Sequence, residues 1–82
     1  MKQYYIVCVD KNSAPYYYHS DKRFYWNIYD TEKLHIKRWN TLKAARNTFK
    51  TIKLGDEFNH ISIMCDNIED NGHVVTTCVE TR

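Results

Sequence analysis

Two glycines and one proline are few for a chain of 82 residues. That scarcity excludes a disordered linker or low-complexity tail, both of which are rich in these residues. It also excludes the common phosphate-binding loops, because neither nucleotide motif can be written with two glycines. No apolar run approaches the ~18 residues that a bilayer-spanning helix needs. The stretch from Met1 to Asp10 is too short and too polar for a secretory signal. The three cysteines, Cys8, Cys65 and Cys78, are odd in number and lack any Cys-x-x-Cys pair, so neither a disulfide framework nor a zinc signature is present. Reduced thiols packed as small hydrophobes are expected, in a cytoplasmic protein with no cofactor and no metal.

Small size excludes more. Residues 1–82 are read as one domain, since half this length does not fold unaided. Such a domain buries about 60% of the surface exposed by its unfolded chain. Its stability should be roughly 4–12 kcal/mol, which leaves little to offset strained catalytic geometry. The four histidines, His19, His35, His60 and His73, fall on different expected elements, none with a nucleophile or carboxylate at a recognisable spacing. The chain reads as a binding protein rather than an enzyme.

What is present is strand and helix. From Tyr4 to Val9 both alternating faces are apolar, which predicts a central strand. A turn-rich link from Asp10 to Pro15 leads to a returning strand over Tyr16 to His19. Asp21, Lys22 and Arg23 break it, and strand-favouring aromatics resume from Phe24 to Tyr29. A turn is expected at 30–33 and a short strand from Leu34 to Trp39. Thr41 or Asn40 can cap a helix running from Leu42 to about Lys53, whose Leu42, Ala45, Phe49 and Ile52 fall within an arc of about 80°. Gly55 is the expected left-handed stop. Trp39 and Phe49 are assigned to the core. Ile61, Ile63 and Cys65 line one face of a further strand, and Val74 to Val79 forms its mate across an Asn71-Gly72 two-residue turn, a register that sets Cys65 opposite Cys78. The fold class is therefore α+β, an antiparallel sheet of four or five strands with one amphipathic helix packed on one face.

Two features bear on function. Tyr16, Tyr17, Tyr18, Phe24, Tyr25, Trp26 and Tyr29 are interleaved with His19, Lys22 and Arg23. These residues suit a core, a protein interface or a platform for single-stranded nucleic acid, and strand alternation turns about half of the rings outward. Charge is also divided: residues 1–55 carry about +7 and residues 56–82 about −5, within a net +2. Lys43, Arg46, Lys50 and Lys53 flank the helix about 100° from its apolar stripe. The acidic final hairpin disfavours plain nucleic-acid binding and better matches a protein partner of complementary pattern.

The run Ile36-Lys37-Arg38-Trp39-Asn40-Thr41-Leu42-Lys43-Ala44-Ala45 resembles a pattern of small accessory and anti-defence proteins of bacteriophages and mobile elements. In that pattern a basic pair and an aromatic lead through Ser or Thr into a helix with an early alanine. The resemblance covers about two-thirds of the chain and is structural, carrying over no functional residues. It implies a protein of the host bacterial cytoplasm that binds and inhibits or redirects a host protein, a CRISPR or restriction system among the candidates. The partner-binding residues expected are Tyr17, Arg23, Tyr25 and Trp26 as anchors, with Lys43, Arg46 and Lys50 steering. The alternative is a single-stranded nucleic-acid-binding module built from the same groups. Neither reading involves a membrane, and the oligomeric state is open.

Overall fold

A strand with apolar side chains on both faces is stable only between two neighbours, and the stretch around Ile6 obtains them. It forms the middle of β1 (Lys2–Asp10). The computed structural model describes residues 1–26 and 35–82. Among these, β1 is followed by β2 (Pro15–Tyr18), β3 (Phe24–Tyr25), the helix α1 (Leu42–Phe49), β4 (Phe58–Ile68) and β5 (Val74–Thr81). The strands form one open antiparallel sheet in the order β3-β2-β1-β4-β5. The architecture is thus α+β, with five strands and one short helix. Only the first two residues of the expected Phe24-to-Tyr29 strand are in β3, and Trp26 lies beyond its end. The remainder of that strand, the turn expected at 30–33, and Leu34 lie outside the described residues.

Local chemistry shapes the first connections. Asp10 Oδ1 accepts the backbone N–H groups of Asn12 and Ala14, each at 2.9 Å, and so closes the turn into β2. β1 pairs with β2 only from Val7 to Val9. Beyond that the two strands diverge, and residues 35–39 enter between them as a wedge. Trp39 exchanges two backbone hydrogen bonds with Tyr4, at 2.8 and 2.9 Å. On the other side, the N–H of Lys37 donates to Tyr18 O and that of Ser20 to His35 O. The expected short strand ending at Trp39 is therefore reduced, among the described residues, to two isolated bridges, Tyr4↔Trp39 and His19↔Ile36.

Helix α1 begins as its sequence directs. Thr41 is the N-cap, its hydroxyl accepting from Ala44 N at 3.2 Å. Ala45 and Phe49 are buried against Ile6, Cys8, Tyr18, Ile61 and Ile63, with Leu42, Trp39 and Phe58 packed around them. The helix ends at Phe49, four residues before the expected Lys53. Gly55 is not its stop, since the one glycine with positive φ is Gly72. Instead the chain tightens, with Thr51 N donating to Thr48 O and Ile52 N to Phe49 O. Two freed carbonyls are then taken from a distance. The Arg82 guanidinium donates to Phe49 O at 2.8 Å and also to Ile52 O, while lying over the Phe49 ring. A helix terminus satisfied by a side chain 33 positions away gives no local signal.

The final hairpin corrects another expectation. The loop between Glu69 and His73 has three residues rather than two: Gly72 N donates to Glu69 O, Glu69 N to His73 O, and Gly72 adopts φ 82°. This is a tight turn followed by a left-handed glycine, the usual three-residue solution. The extra residue shifts the register by one, so Cys65 faces Thr77 and Cys78 faces Met64. Cys65 and Cys78 consequently lie on opposite faces of the sheet, and all three cysteines are free.

Replacing Arg82 with Ala should lower unfolding free energy by about 1–2 kcal/mol, the scale of lost hydrogen bonds from a charged donor. Urea denaturation followed by circular dichroism checks this, and Arg82→Lys should recover only part of the loss.

Candidate functional site

Strand alternation assigns every side chain of the sheet to one of two faces. Tyr4, Ile6, Cys8, Tyr16, Tyr18, Phe24, Ile61 and Ile63 meet the helix side. The opposite face has no helix over it among the described residues. Its central row crosses all five strands in register: Tyr25, Tyr17, Val7, Ser62 and Thr81. A second row follows with Tyr5, Met64 and Cys78, and a third with Gln3, Asp66 and Thr76.

The open face is aromatic on its β3-β2-β1 side and hydroxylated on its β4-β5 side. Tyr5 and Tyr17 lie 6.3 Å apart between ring centroids, tilted by 36°. His19 meets Tyr25 edge-on at 5.0 Å, and the Arg38 guanidinium stands 5.7 Å from the Tyr5 ring centre. The rings crowd the floor enough that Val7 and Ser62 are each only 9% exposed. On the polar side, Ser62 and Thr81 share a hydroxyl hydrogen bond of 2.8 Å. Asp66 Oδ1 accepts from Tyr5 at 3.2 Å and from Thr76 at 2.7 Å.

Environment shifts several groups away from reactivity. Burial pushes the Tyr5 phenol up to about 12, helped by the adjacent Asp66 carboxylate. The Tyr25 phenol is raised by its hydrogen bond to Asp21, and the same bond holds the Asp21 carboxyl below its usual range. Burial raises Tyr18, and it pushes the Cys8 thiol up to about 12. A thiol held protonated in this way is no nucleophile at neutral pH. Among the described residues no group of three or more His, Cys, Asp or Glu side chains is placed to hold a metal ion.

The expected partner-binding residues divide between two sides of the sheet. Tyr17 and Tyr25 are brought together, directly paired and half-buried on the open face. Arg23 is exposed at the turn into β3, and Trp26 just past it is 74% exposed. Lys43 on α1 and Lys50 at its C-cap are exposed, and α1 covers the other face. Arg46 is engaged within the fold, its Nε 3.1 Å from Glu80 Oε1 on β5. These seven residues therefore do not make one continuous surface. Sequence reading missed Tyr5 and Arg38, and it placed His19 in the aromatic block without counting it among the partner-binding residues. Tyr5 could have been found from parity, since it alternates with Val7 on the face of β1 away from the core; Arg38 reaches that face only through the wedge.

Between α1 and the wedge, a cleft of about 540 Å³ is lined by His19, Lys22, His35, Lys37 and Arg38 together with Tyr18, Trp39 and Thr48, and among the described residues no carboxylate lines it. The Lys37 ammonium lies 5.9 Å from the centre of the Trp39 ring.

Fold and site together define a small antiparallel α+β domain that carries its helix on one face and, among the described residues, leaves an aromatic sheet face open. No protein family, curated protein or solved structure matches the chain. Among the described residues no helix is long and apolar enough to cross a membrane.

Because Cys8 and Cys65 are buried and Cys78 is exposed, a maleimide at neutral pH should add once to the folded chain and three times in denaturant, read by intact mass spectrometry. A pH effect follows as well. The Cys8 thiol ionises near 9 when unfolded and near 12 when folded, so its contribution to stability is complete below 9 and is lost as pH rises toward 12. Tyr5 acts in the same direction between 10 and about 12. The urea midpoint should fall across this alkaline range, and less steeply in Cys8→Ala.

Proposed function

We propose that this chain is a binding protein, not an enzyme, and that it acts by seating its open sheet face on a protein partner. The supporting observation is the cluster of Tyr5, Tyr17 and Tyr25 on a face with no helix over it among the described residues, bordered by Arg38, with the exposed Trp26 just past the end of β3. Tyrosine, tryptophan and arginine are the residues that dominate interface energetics, because a large rigid ring is desolvated at little entropic cost. The tyrosines are already ordered by Asp66, Asp21 and one another, so docking loses less side-chain freedom. The resemblance to accessory proteins of phages and mobile elements makes a bacterial host protein the partner class, with CRISPR and restriction systems the first to test. Occupation of a functional surface would then be the mechanism of inhibition.

A second reading, binding of single-stranded nucleic acid, is favoured by the basic cleft, whose described lining holds the Tyr18 and Trp39 rings and no carboxylate, and which shares Arg38 with the edge of the Tyr5 ring. Rings would stack on bases while Lys22, Lys37 and Arg38 contact phosphates.

The two readings separate in a pull-down from bacterial lysate with and without nuclease, with retained species identified by mass spectrometry. The protein-partner reading expects one host protein retained in both arms. Tyr17→Ala with Tyr25→Ala should then weaken its binding by roughly thirty-fold or more, the effect of losing interface anchors. Lys43→Ala with Lys50→Ala should leave that affinity within a few-fold. Retention abolished by nuclease overturns the reading in favour of nucleic acid. In that case the logarithm of affinity should fall with the logarithm of salt concentration by about 0.7 per phosphate contacted.

A further inference from the structure

The two edges of the sheet are managed differently. β3 is two residues long, too short to template another strand. β5 runs for eight residues, Val-Val-Thr-Thr-Cys-Val-Glu-Thr, and seven of the eight are exposed. It contains no proline and no lysine, and it leaves Val74 48%, Val75 41% and Val79 37% exposed. Its protective devices, a bulge where the register slips between Ile63 and Met64 opposite Val79 and the charge of Glu80, both lie at its C-terminal end. The five residues from Val74 to Cys78 remain regular.

Backbone parity shows what this edge presents. His73 accepts from Glu69 N and pairs inward with β4, and the register then turns Val75 and Thr77 inward as well. Val74, Thr76 and Cys78 therefore aim their backbone N–H and C=O groups away from β4. Thr76 is the midpoint of the regular segment and an outward-facing residue. That is the condition for a two-fold axis to pass beside it and create a hydrogen-bonded pair with its own copy.

We propose that β5 pairs antiparallel with β5 of a second copy about a two-fold axis at Thr76, joining two five-stranded sheets into one. In this register Thr76 faces Thr76 of the second copy, Val74 faces Cys78, and Val75 faces Thr77, making about six backbone hydrogen bonds. The segment is self-complementary. It carries no charge between Val74 and Val79; Asp66, on the neighbouring strand, accepts from the Thr76 hydroxyl, and Glu80, the one carboxylate of β5, is turned to Arg46 and lies opposite Gly72 of the copy rather than another acid. Exposed valines gain apolar or hydroxyl neighbours on both faces. The open face continues across the junction, so a dimer presents two tyrosine clusters on one side. This inference does not depend on what occupies those clusters.

A single strand pair covers less than the ~800 Å² per partner of a standard interface, so the dimer should be weak, with dissociation in roughly the high-micromolar range. Sedimentation equilibrium on the intact chain should show the average mass rising from monomer toward twice that value with concentration. Thr76→Pro removes an N–H that the β4–β5 ladder does not use, so it should keep the circular dichroism spectrum and abolish the rise. Val74→Cys should give a covalent dimer on mild oxidation, through Cys78 of the second copy, and the bond should vanish when Cys78→Ser is added. A chain that stays monomeric up to about 2 mM overturns the proposal, as does a dimer that survives Thr76→Pro or a Val74→Cys variant that does not cross-link.

Discussion

One helix cannot cover two faces of a sheet, and most of this structure follows from that shortage. Eight helical residues span about 12 Å, whereas five strands side by side are about 19 Å across. Even on the covered side, α1 packs mainly on β1 and β4, and the remaining core is closed by Trp39, Phe58, Ile52 and Leu54. The other face must therefore tolerate water. It does so with side chains that are apolar in body and polar at the tip: tyrosines whose hydroxyls reach Asp66 and Asp21, and hydroxyls at Ser62, Thr76 and Thr81. A face built in this way is stable when uncovered and adhesive when covered, which is what a binding module requires.

Charge inside the fold is distributed less evenly than the net +2 suggests. Among the described residues, Asp10, Asp21, Asp66 and Glu80 all accept hydrogen bonds within the chain. Lys22, Lys37 and Arg38 line a cleft whose described lining includes no carboxylate. Those four acids serve in turns, in phenol anchoring and in tying α1 to β5, while Asp56, Glu57, Glu69 and Asp70 are exposed, as are several of the bases.

What could be read from the sequence was local or periodic. The double-sided apolar run marks β1 as central, Thr41 marks the helix start, and the stripe ending in Phe49 marks its buried side, because each signal lies within a few residues of its effect. The parts that escaped depend on partners distant in the chain or on a single-residue count. The helix ends where Arg82 can reach its carbonyls. The Cys65 register follows from three loop residues instead of two. The aromatic block was legible as residue types, but which rings face outward is decided by the register of β1 with β2. The basic flank of α1 looked like part of the same site only because nothing in the sequence tells which face of the sheet the helix will choose.

The central position of β1 has a temporal side. Its neighbours on one edge arrive within the next hairpin, but those on the other edge belong to β4, in pairings from Lys2↔Asn67 to Asp10↔Phe58. Closing a loop of some fifty residues costs about 3–4 kcal/mol in chain entropy before any contact repays it. During synthesis the strand with the most apolar surface is thus the one that waits longest for its second neighbour. Until β4 emerges, that bare edge is open to any other nascent chain, so the yield of folded protein should be set by crowding at the ribosome more than by the stability finally reached.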